Sequence, residues 1–91
     1  GHTESGLLMG THAFMAPEAF RGGPVDARSD LYSLGVTLYK IAAGTLPFAA
    51  SGSDSIAGHL YETPPSLLDH DVHPGVASVI ERLLAKEPGE R

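Results

Sequence analysis

Apolar positions repeat with a helical period in two stretches of this chain, and no run alternates at period two for long enough to predict a strand. From Gly75 to Lys86 the apolar residues are Val76, Val79, Ile80, Leu83 and Leu84. That i, i+3, i+4, i+7, i+8 spacing draws one stripe along an amphipathic helix, and Pro88-Gly89 stops it. A longer helix is predicted from about Ala27 or Ser29 to Ala43. At about 100° per residue, its Leu31, Leu34, Val36, Leu38, Tyr39, Ile41 and two alanines cover well over half the circumference. Only Ser33, Thr37 and Lys40 share a narrow polar strip. A helix apolar nearly all round is a central, buried one. Ser29 or Asp30 is the expected cap at its start, and Gly44 the expected stop.

Shorter elements fill the intervals. Residues 3–16 lack sustained periodicity and read as loop. Pro17-Glu18-Ala19-Phe20 suits one helical turn with proline at a first helical position, and Arg21-Gly22-Gly23-Pro24 ends it. Thr45-Leu46-Pro47-Phe48 leaves the long helix as an extended turn. Ser51-Gly52-Ser53 is a flexible link, after which Ser53 or Asp54 caps a short helix through Tyr61. Thr63-Pro64-Pro65 breaks that helix, and residues 66–73 read as loop. The expected fold is mainly α in a single domain: an N-terminal segment, 3–16, and a helical subdomain, 17–91. Gly1-His2 reads as a processing scar outside the fold.

Composition narrows the function classes. With 42% hydrophobic residues and a net charge of -5, the chain has enough apolar mass for one small core and too little charge for a disordered tail. The acidic balance argues against nucleic acid, which requires a basic face. The absence of cysteine excludes disulfides, thiolate metal sites and a cysteine nucleophile. It fits a cytoplasmic location. No apolar run approaches the roughly 20 residues that a membrane-spanning helix needs.

Four blocks carry the strongest signal, because they occur together and in order. They are Gly10-Thr11-His12-Ala13-Phe14-Met15-Ala16-Pro17-Glu18; Asp30-Leu31-Tyr32-Ser33-Leu34-Gly35-Val36; Gly44-Thr45-Leu46-Pro47-Phe48; and Arg82 to Arg91, Arg-Leu-Leu-Ala-Lys-Glu-Pro-Gly-Glu-Arg. Together they resemble the C-terminal lobe of eukaryotic-like protein kinases, from the Ala-Pro-Glu end of the activation segment through helices EF, F, G and H. Gly10, Thr11 and Phe14 resemble the Ser/Thr-specific form of the segment. His59-Leu60-Tyr61-Glu62-Thr63-Pro64-Pro65 is similar to the matching stretch of bacterial Ser/Thr kinases.

The resemblance implies roles for individual residues. Gly10, Thr11 and Phe14 would line the pocket for the substrate residue after the phosphoacceptor. Thr3 and Ser5 fall where activation-loop phosphorylation occurs, and a phosphate there could pair with arginines and order the loop. Glu18 and Arg91 would form a structural ion pair, for which the planar fork of arginine suits a carboxylate. Asp30 would anchor the catalytic loop on helix F. Without that loop it must cap its own helix, find another partner or face water.

Other parts of the family pattern do not occur in these 91 residues. There is no Gly-rich phosphate loop, no strand lysine, no His-Arg-Asp and no Asp-Phe-Gly. The intact family uses ATP and magnesium; this stretch alone is expected to hold neither, to have no catalytic residue and to bind no metal or other cofactor. Three readings follow. The first is a fragment, or a truncated form, of a bacterial-type Ser/Thr kinase, inert by itself and serving substrate docking and activation-segment anchoring. The second is a stand-alone interaction module on the same scaffold. The third is a metal-binding regulator built on His59, His70 and His73, although a polar surface loop between helices is the better account of these residues. Expected partners are protein substrates, the rest of a kinase and a second copy of the chain. That second copy could exchange an element through residues 3–16 or the Ser51-Gly52-Ser53 link.

Overall fold

The long helix starts at Ala27, one of its two expected starts, under a cap that lies upstream of both expected ones. The structure, a computed structural model, describes residues 12–91. Helix α1 spans Pro17–Phe20, α2 Ala27–Ala43, α3 Gly52–Tyr61 and α4 Pro74–Leu83, with single 3-10 turns at His12–Phe14, Leu67–His70 and Pro88–Glu90. The cap of α2 is Asp26, not Ser29 or Asp30. Its backbone is extended, and its carboxylate accepts from the Arg28 N–H at 2.8 Å. Ser29 occupies the third helical position, and its hydroxyl accepts from the Asp26 N–H at 3.4 Å. The two residues form a reciprocal capping box. Gly44 ends the helix as expected, at φ 79°, where a side chain would be strained, and its N–H donates to the Lys40 carbonyl at 2.8 Å.

Tyr32, Val36 and Tyr39 lie along the buried side of α2 and meet Leu67, Ala77, Ile80 and Leu84 in one core. Helix α4 packs closely here because Gly35 has no side chain. A Cβ at that position would lie 2.8 Å from the Leu83 Cβ and 3.2 Å from Leu84 Cδ2. Helix α3 packs near α1 and the His12–Phe14 turn. Gly58 makes an equally close approach there, since a Cβ would lie 2.7 Å from Phe48.

Four expectations need correction. Helix α4 runs from Pro74 to Leu83 rather than from Gly75 to Lys86. His73 Nδ1 caps its start by accepting from the Gly75 N–H at 3.0 Å. At the other end the chain turns into Leu84, whose N–H reaches back to the Ile80 and Glu81 carbonyls. Helix α3 begins at Gly52, two residues ahead of Asp54, with Ser51 as a cap that makes no side-chain bond. Leu67–His70 is a 3-10 turn rather than loop; Ser66 caps it and fully buried Leu67 pins it to the core. Lastly, α2 is not covered all round: Leu31, Leu34 and Ile41 face solvent.

A candidate anchoring site

Glu18 lies in the first turn of α1, where Pro17 presets the helical backbone and leaves no N–H to satisfy. The turn points its carboxylate inward to the side chain of Arg91. The guanidinium donates from Nη1 to Glu18 Oε2 at 2.7 Å and from Nη2 to Oε1 at 2.9 Å. Ser29, the same residue that closes the capping box, donates to Oε2 at 2.6 Å. The Arg91 side chain is fully removed from solvent.

A buried guanidinium must satisfy five N–H groups, and this one does. Nη1 also donates to the Arg28 carbonyl at 2.9 Å, Nη2 to the Lys86 carbonyl at 3.3 Å, and Nε to the Ala85 carbonyl at 2.9 Å. One side chain therefore joins α1, the start of α2 and the turn after α4. The hydrogen bonds from Arg91 hold the Glu18 carboxyl down at about 2, with Ser29 helping and burial opposing.

Tyr32 connects this pair to a second cluster. Its ring lies 4.9 Å from the Arg91 guanidinium carbon, and its hydroxyl hydrogen-bonds His59 Nδ1 at 2.7 Å. Burial pushes the Tyr32 phenol up. His59 is fully buried, with Phe20 stacked at 5.7 Å and Phe48 edge-on at 5.1 Å. Burial, then the nearby Lys86 charge, lowers its pKa to about 4, so the ring is neutral at pH 7. Its Nε2 and the Ser55 hydroxyl, one helical turn away on α3, are buried without a partner among the described residues. Lys86 donates to the Gly58 carbonyl at 2.9 Å over the Phe48 ring, and burial lowers its pKa to about 8.

The other sequence-predicted residues fall as follows. Phe14 is half-buried in the first 3-10 turn, and its carbonyl accepts from Ser33 Oγ at 2.7 Å, fastening that turn to α2. Asp30 is exposed on α2. Gly10, Thr11, Thr3 and Ser5 lie outside the described residues. His59 turns inward while His70 and His73 are exposed, and no cluster of three metal-ligating side chains forms among the described residues. Tyr32 was passed over in the sequence. A tyrosine on the buried face of a central helix, whose hydroxyl must find a partner, is the signal that could have marked it.

This fold and this site define part of a protein-kinase C-terminal lobe. The family model for the protein kinase domain matches residues 2–91, and the chain belongs to that family. It is 46% identical over 83 residues to the DNA damage-responsive serine/threonine-protein kinase RqkA of Deinococcus radiodurans, covering 90% of this chain and 12% of that protein. It is 41% identical over 90 residues to the serine/threonine-protein kinase PksC of Streptomyces coelicolor, covering 96% and 16%. It is also 41% identical over 92 residues to the serine/threonine-protein kinase PknB of Mycolicibacterium smegmatis, covering 98% and 15%. The chain thus spans less than a fifth of the length of each of these relatives.

Proposed function

We propose that these residues anchor the activation segment and help dock protein substrate in a bacterial-type Ser/Thr protein kinase, which in intact form transfers a phosphoryl group from ATP to protein hydroxyls in the cytoplasm. The observation that carries this reading is the buried Glu18–Arg91 pair, which ties the turn after the activation segment to the residues after α4. Phosphoryl transfer also requires groups that position ATP and magnesium and orient the hydroxyl. The 91 residues supply none of the family's motifs for that work, so the chain alone is inert. A thermal-shift titration with Mg-ATP tests this directly. A ligand at 100 times its dissociation constant adds about 2.7 kcal/mol, and no such stabilisation is expected. A saturable shift, or phosphate transfer to a generic protein substrate, would overturn the inert reading.

The exposed apolar residues Leu31, Leu34 and Ile41 favour a second property, self-association. Contiguous apolar patches of more than a few hundred Å² are rare on soluble monomers. In this reading the chain also acts as an interaction module on a kinase scaffold.

A further inference from the structure

Helix α3 draws little stability from its own residues. Gly52 and Gly58, Ser53 and Ser55, and Asp54 make up half of its ten residues, and all three types are weaker helix formers than alanine or leucine. A helix this short is marginal in isolation. None of its side chains belongs to the apolar core. It lies against α1 and the His12–Phe14 turn, and only sparsely against α2 and α4. Its end also carries the wrong charge. The one basic residue in the last turn, His59, is neutral, and Glu62 follows it.

Two side chains from outside meet α3 at adjacent residues. Lys86 donates to the Gly58 carbonyl at 2.9 Å and brings a positive charge to the C-terminal end of the helix. The Tyr32 hydroxyl is hydrogen-bonded to His59 Nδ1 at 2.7 Å. Both lead back to Arg91, which donates to the Lys86 carbonyl at 3.3 Å and whose guanidinium carbon lies 4.9 Å from the Tyr32 ring. The same guanidinium holds Glu18. We propose that Lys86 is a positioning residue, which caps α3 from outside the helix and, through Arg91, couples the seating of α3 to the Glu18 anchor. The proposal rests on the anchoring reading and adds α3 to what the ion pair holds in place. Its test uses neither ATP nor substrate, so it can fail while the chain is inert and hold if the chain is not.

Native-state hydrogen exchange on the 91-residue chain decides it. In the wild type, amides of residues 56–62 should exchange faster than those of residues 78–83, through an opening of α3 alone. Lys86→Met keeps the apolar stem and the backbone carbonyl but removes the charge. It should speed exchange in α3 roughly tenfold, and Lys86→Arg, which restores a charged donor, should return most of the protection. Glu18 and Lys86 share Arg91 as a partner, and changes at sites with a shared partner are not additive. In a Glu18→Gln background Lys86→Met should therefore speed exchange only about threefold. Where Glu18→Gln leaves too little folded protein, Ser29→Ala, which removes a hydroxyl donor to Glu18, takes its place as the background. Exchange in α3 that occurs only together with α4, that Lys86→Met does not change, or that Lys86→Arg does not restore would overturn the positioning role. The full tenfold rise in both backgrounds would overturn the coupling to the anchor.

Discussion

The two sides of α2 are built on different terms. On the inner side the polar side chains of α2 have found partners: Ser29 binds Glu18, the Tyr32 hydroxyl binds His59, and the Tyr39 hydroxyl donates to the Pro65 carbonyl at 2.8 Å. On the outer side Leu31, Leu34 and Ile41 meet solvent, and an apolar groove lies open next to them. Directional contacts close among a few groups, so a short stretch of chain can complete them. Apolar burial is a matter of area, and a small chain has little area to offer.

The sharpest way to break this contrast is to remove Arg91. Arg91→Ala leaves the Glu18 carboxylate buried beside Ser29 and three carbonyls without their donor. Breaking a buried pair from one side costs roughly 3–5 kcal/mol, a large part of the stability of a small domain. The expected result is little folded protein. On the outer side Leu34→Ser should move the urea midpoint of the monomer by no more than about 0.5 kcal/mol. If both variants unfold at the same midpoint, the two sides do not differ in the way described.

The sequence was legible where a signal was local. Gly44 marked the end of α2 because only a left-handed backbone fits there, and the stripe from Val76 to Leu83 marked α4. It was not legible where a distant group decided. Asp26 and Ser29 are both good caps, and only their reciprocal bonding shows that the helix begins after the first. The apolar stripe of α4 runs on into Leu84, yet the helix stops, and the Ala85 and Lys86 carbonyls that follow go to Arg91. Glu18 and Arg91 are 73 residues apart. No spacing rule joins them; only the family resemblance set them side by side. His59 was legible as a potential ligand, but Phe20, Tyr32 and Phe48 come from three separate parts of the chain to bury it. The hydrophobic pattern of α2 records what can be buried, not what is present to bury it, so it could not by itself show which side stays uncovered.

The inner side also predicts an acid sensitivity that the outer side lacks. His59 has a pKa of about 4 in the folded chain against an ordinary 6.5. Between those values the unfolded chain takes up a proton that the folded one refuses. Stability is therefore complete above pH 6.5 and falls as the pH drops toward 4, by up to roughly 3 kcal/mol. A group facing the ring sharpens the effect: the Lys86 charge adds repulsion to a protonated imidazole. Glu18 extends the loss lower still, between 4.5 and about 2. Urea midpoints measured from pH 7 to pH 5 should decline in the wild type and stay nearly level in His59→Phe, from a lower starting value. Parallel slopes in the two proteins would show that His59 is not the group refusing the proton.

An effect smaller than the loss at Arg91 or on acidification is expected at Gly35, where α2 meets α4. Gly35 faces α4, and its missing Cβ sets the spacing that also shapes the outer groove. In Gly35→Ala the new methyl would come within 2.8 Å of the Leu83 Cβ and 3.4 Å of the Leu83 carbonyl carbon. The 2.8 Å contact is the clash, and a Cβ is fixed to its backbone, so α4 must move rather than the end of a flexible side chain. Overpacking of this kind costs about 1–3 kcal/mol, and alanine returns up to about 1 kcal/mol through its better helix propensity. A net loss of roughly 1–2 kcal/mol is expected in the urea midpoint. The displacement also separates Val76 and Val79 from Leu38 and Ile41, the two walls of the groove. A Gly35→Ala chain that unfolded at the wild-type urea midpoint would show that α4 can move away from the new methyl at no cost.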